Sequence, residues 1–60
     1  MTVAILNYKT RRIVFNDDAE RVMYLYDSTG SPKDILLIVN SREKYIYPAE
    51  THIIHSANSY

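Results

Sequence analysis

Sixty residues make one domain at most, and a chain this short buries only about 60% of its unfolded surface. There is no cysteine, so disulfides and thiolate metal sites are excluded, and the chain suits a reducing compartment such as the cytoplasm. Seven Lys and Arg balance seven Asp and Glu, and a net charge of zero argues against non-specific binding to nucleic acid or to an anionic membrane.

The N-terminal Met1-Thr2-Val3-Ala4-Ile5-Leu6 is apolar, but it is too short for a leader and has no basic start. Residues 3–8 read as a first strand, rich in β-branched and aromatic residues. Lys9-Thr10-Arg11 is a tight turn, and Arg12-Ile13-Val14-Phe15 returns as a second strand. Asn16-Asp17-Asp18 is expected to break it.

Residues 17–27 fit two templates about equally. As a short helix, Asp17 and Glu20 imitate a capping box, and Ala19, Val22, Met23 and Tyr26 form a stripe at helical spacing. As a strand, Val22-Met23-Tyr24-Leu25-Tyr26 has high β-propensity, and Ser28-Thr29-Gly30-Ser31 is a good hairpin loop. The strand is the preferred reading.

Ile35-Leu36-Leu37-Ile38-Val39 is the strongest strand. It is apolar on both faces, as a central strand would be, and far too short to cross a bilayer. Ser41-Arg42-Glu43 turns the chain and residues 44–47 form its hairpin partner. Pro48 ends that ladder because it has no N–H to donate. A short turn leads to a last strand over residues 52–55, and Ser56 to Tyr60 reads as a frayed tail.

The order strand, proline, short turn, strand over residues 43–54 resembles the end of an SH3-like barrel. The likeness covers about a dozen residues and implies topology only. The expected fold is therefore mainly β, a five- or six-stranded antiparallel sheet or SH3-like barrel. Residues 3–6, 35–39 and Ile53-Ile54 are apolar on both sides, so both faces need cover. A homodimer would provide it, and would add the stability that so small a core lacks.

Residue patterns for catalysis are weak. His52 and His55 are the only histidines, and on a strand their spacing points them to opposite faces. Glu50 or Asp34 would have to complete a metal site, so neither metal nor cofactor is expected. Asp17, Asp18 and Glu20 form an acidic knot that reads as a solvated turn or cap. The hydroxyls sit in turns, and one glycine cannot build a phosphate loop.

Binding is the better reading. Tyr24-Leu25-Tyr26 and Tyr45-Ile46-Tyr47 are spaced at the strand period, so each pair shares one face. Tyrosine has an apolar body and a wet tip, and such a face suits burial against a partner. On this reading Tyr24, Tyr26, Tyr45 and Tyr47 contact a larger protein, while Leu25 and Ile46 lie on the opposite, core side. Lys9, Arg11 and Arg12 make a small basic turn open to an anion. The function expected is that of a non-catalytic accessory or inhibitor protein, of a size common among phage and mobile-element products. The alternative is a small nucleic-acid-binding barrel, with tyrosines as stacking platforms and Lys9, Arg11, Arg12, Lys33, Arg42 and Lys44 on one rim.

Overall fold

The computed structural model describes residues 1–58. They form six strands and no helix: β1 (Thr2–Asn7), β2 (Arg12–Asp18), β3 (Arg21–Tyr26), β4 (Pro32–Ile38), β5 (Lys44–Pro48) and β6 (His52–Asn58). Two antiparallel sheets of three strands result, one ordered β2-β1-β6 and the other β3-β4-β5. The mainly β expectation holds, and the arrangement is compatible with a small barrel.

Three short side chains start the loops. Each is an Asn or Asp at a strand end whose oxygen accepts backbone N–H groups further on, in place of a ladder bond. Asn7 Oδ1 accepts from Lys9 at 3.0 Å and Thr10 at 3.2 Å. Asp27 Oδ1 accepts from the N–H groups of Thr29 at 2.9 Å and Ser31 at 3.1 Å, and from the Thr29 hydroxyl at 2.6 Å. Asn40 Oδ1 accepts from Arg42 at 2.8 Å and Glu43 at 3.0 Å. Gly30, at φ 85°, supplies the left-handed residue of the β3–β4 loop.

No helix forms over residues 17–27. Asn16, Asp17 and Asp18 do not break β2 but continue it, opposite Ala4, Val3 and Thr2 of β1. The chain then bends at Ala19-Glu20 and runs into the second sheet as β3. The bend is bonded on both sides. Ala19 N–H donates to the Met1 carbonyl at 2.8 Å, and Glu20 N–H donates to the Ile38 carbonyl at 2.9 Å. Ladder bonds to distant strands outweigh the local helical pattern. β6 likewise extends through Asn58, opposite Thr2, where a frayed tail was expected; Ser59 and Tyr60 lie outside the described residues.

At the other junction, Pro48 ends β5 and Thr51 N–H closes a single turn on the Pro48 carbonyl at 3.3 Å. This is the proline, turn and strand order noted above. The Tyr8 phenol donates to the Glu50 carbonyl and ties this turn to the end of β1.

The sheets meet over a small core. Val3 and Ile5 come from β1, Ile35 and Leu37 from β4, and Ala19 from the bend; Phe15, Val22, Tyr24, Val39, Tyr47 and Ile54 pack around them. Ile35 and Leu37 are 0% exposed. Strand alternation therefore sends Leu36 and Ile38 of β4 to the outside of the molecule, where they are only half-buried.

Candidate functional site

Register decides where the tyrosines go. Ile35 of β4 lies opposite Tyr24 of β3 and Tyr47 of β5, and Leu37 lies opposite Val22 and Tyr45. Directly opposed residues share a face. Tyr24, Tyr45 and Tyr47 therefore point to the core side of their sheet, and so does Tyr26 by alternation. The expected arrangement is reversed: Leu25 and Ile46, placed on the core side from the sequence, lie on the outer face, and Ile46 is 62% exposed. Because β4 is apolar on both sides, either face could have been the inner one. Of the four rings, Tyr24 and Tyr47 pack against the small core.

The four rings differ in what they show to solvent. Tyr24 is half-buried, and its hydroxyl accepts from the Ile54 N–H of β6 at 3.1 Å, a bond that joins the two sheets. Tyr26 lies beyond the core and is 62% exposed, with its ring 6.5 Å from that of Tyr24. Tyr47 is half-buried, and burial pushes its phenol above the ordinary value. Tyr45 is 43% exposed. It donates to the Glu43 carboxylate at 3.0 Å, and this bond, with the adjacent negative charge, raises its pKa.

An aromatic row emerges that the spacing of the tyrosines alone did not reveal. Phe15 of β2 is 6.4 Å from Tyr45, Tyr45 is 6.4 Å from Tyr47, and Tyr47 is 5.1 Å from His52 of β6. The row passes from one sheet across β5 and back to the first. His52 is held at its end, with Nδ1 2.7 Å from the Thr51 hydroxyl and 3.1 Å from the Pro48 carbonyl. Neither Phe15 nor His52 figured among the residues expected at the contact surface. Their link to the tyrosines depends on sheet packing, which the sequence does not display.

The basic residues are dispersed. Lys9, Arg11 and Arg12 occupy the β1–β2 tip, with the Lys9 ammonium 5.9 Å from the centre of the Tyr8 ring. Lys33 stands at the start of β4, whereas Arg42 and Lys44 lie beyond its other end. The six cations therefore do not share a rim.

Among the described residues no three His, Cys, Asp or Glu side chains converge as a metal site. His55 sits where the β1–β6 register shifts, between Ile54 and Ser56. Glu50 and Asp34 instead line a shallow depression with Asp27, Pro32, Lys33, Pro48 and Ala49. The Asp27 carboxyl is held below its ordinary value, first by the Thr29 hydroxyl and then by the backbone N–H groups it accepts from. That explains its role in the loop and involves no ligand. Asp17 and Asp18 are exposed at the end of β2, where Asp17 Oδ1 accepts from the Asp18 N–H at 2.7 Å.

No protein family, curated protein or solved structure matches the chain. Among the described residues no helix is long and apolar enough to cross a membrane.

Proposed function

We propose that the protein acts by binding another protein, as an accessory or inhibitor subunit, and that the row Phe15–Tyr45–Tyr47–His52 is its contact surface. The observation that carries this reading is the row itself: four rings in succession within 6.4 Å, with Tyr45 open to solvent at 43% exposure. Aromatic residues are the commonest anchors of protein interfaces, because they bury much area at little entropic cost. Rings already fixed against a core lose less freedom on binding than rings on a loop. The lack of cysteine fits action in a reducing cytoplasm.

Stacking of nucleobases on the same row is the competing reading. It draws no support from the charges, because single-strand binders line their aromatic platforms with a basic groove. Here Arg42 and Lys44 stand at the end of β4 remote from Lys33, which borders the same turn as the β1–β2 tip.

The test uses the immobilised chain and an extract of its own source cells. A protein captured by the wild type should bind Tyr45→Ala about five- to thirtyfold more weakly, as loss of an anchor of about 1–2 kcal/mol implies. Circular dichroism checks that the variant is folded. Capture that survives Tyr45→Ala removes the row from the interface. Capture of nucleic acid instead, abolished by salt and by changing Arg11 and Arg12 to Ala, would establish the competing reading.

A further inference from the structure

The outer face of the β3-β4-β5 sheet is a separate surface, and its layout can be read from the ladder. Across its middle run Met23, Leu36 and Ile46, which are mutual partners on the three strands. At one end the row is Arg21, Ile38 and Lys44; at the other it is Leu25, Asp34 and Pro48. The face is therefore apolar in the centre, basic at one end and acidic at the other. Met23, Leu25, Leu36 and Ile38 are half-buried by their neighbours and Ile46 is exposed. The outer face of the other sheet has a single apolar row of this kind, Ile13-Leu6-Ile53, followed by Asn16-Ala4-Ser56.

The geometry points to a second copy of this chain as the occupant of the β3-β4-β5 face. Consider a two-fold axis lying along the central row, perpendicular to the strands. It sets Met23, Leu36 and Ile46 against their own counterparts. It also brings the basic end of each protomer over the acidic end of the other. Asp34 then faces Ile38 of the second copy, between the cations of Arg21 and Lys44. An isologous contact requires such self-complementarity, and a face with one charge sign throughout would forbid it. Stacked sheets pack about 10 Å apart, so long side chains at the row ends reach across.

Area sets the strength. Three strands about 4.8 Å apart and five residues of about 3.4 Å rise give a face of about 14 by 17 Å. That is about 240 Å² on each protomer, well below the roughly 800 Å² per partner of a standard specific interface, so the association is a weak and transient one. The pairing leaves the aromatic row out of the contact, so a dimer presents two copies of it.

Sedimentation equilibrium from about 20 µM to 1 mM tests the proposal. The wild-type mass should rise towards twice that of the chain. Ile46→Asp should weaken association at least tenfold while the circular dichroism spectrum stays that of the wild type. Asp34→Lys should do the same, and combining it with Arg21→Glu and Lys44→Glu should restore dimerisation. A wild type that is monomeric at 1 mM, an Ile46→Asp variant that still dimerises, or a charge swap without rescue would each overturn it. Should Ile46→Asp misfold, Lys44→Glu alone, at an exposed site, gives the same reading.

Discussion

Arg11 occupies the left-handed region, with φ 60°. It is the only non-glycine residue so placed among those described, at the tip of the β1–β2 hairpin. An L-residue there costs about 1–2 kcal/mol, because Cβ crowds the following carbonyl; Asn tolerates the region far better. The Arg11 side chain is exposed, so its replacement disturbs no packing. Arg11→Asn should therefore stabilise the fold by about 0.5–1 kcal/mol, read as a shift of the urea midpoint at unchanged slope. No change, or a loss, would mean that the arginine side chain itself supports the hairpin. The turn was legible in Lys9-Thr10-Arg11. The left-handed residue was not, because Gly or Asn is what normally marks one and this hairpin has arginine there.

At the scale of the element, β4 and β5 show what alternation can and cannot tell. The strands were legible: Ile35 to Val39 as a central strand, the tyrosine pairs as period-two patterns, Pro48 as a terminator. Which face is inner was not, because Ile35-Leu36-Leu37-Ile38 offers an equally apolar side in either sense. The choice depends on Val3 and Ile5 of a distant strand, which meet Ile35 and Leu37 only when both sheets have formed. Asn16-Asp17-Asp18 was misread for a related reason. Its residues look like a turn locally, but Ala4, Val3 and Thr2 supply the ladder that keeps them extended. A paired substitution checks the assignment of faces. Leu37→Ala, at 0% exposure, should cost about 2–5 kcal/mol. Ile46→Ala should cost no more than about 0.5 kcal/mol in dilute urea melts, where the chain is monomeric. Equal losses at both sites would return Ile46 to the core.

The whole molecule joins parts of very different sequence separation. Sheet β3-β4-β5 is a meander from residues 21 to 48, each strand pairing with the next. Sheet β2-β1-β6 instead requires β1 to find β6, residues 2–7 against residues 52–58, so nearly the whole chain lies in the loop that this pairing closes. Closing a loop costs more the longer it is, and contacts between neighbours in sequence form first. The two local units, the β1–β2 hairpin and the meander, are then expected to form before β6 docks, and the bond from Ile54 N–H to the Tyr24 hydroxyl to form after the rate-limiting step. Stopped-flow refolding separates the two halves: Leu37→Ala should slow folding, whereas Ile54→Ala should mainly speed unfolding. Folding slowed by Ile54→Ala in full proportion to its stability loss would put β6 in the nucleus. A late β6 leaves one edge of β1, the ladder groups of residues 2–7, transiently unpaired during each folding event. For this chain the hazard of aggregation lies in that interval, and it is reduced by whatever hastens the last strand into place.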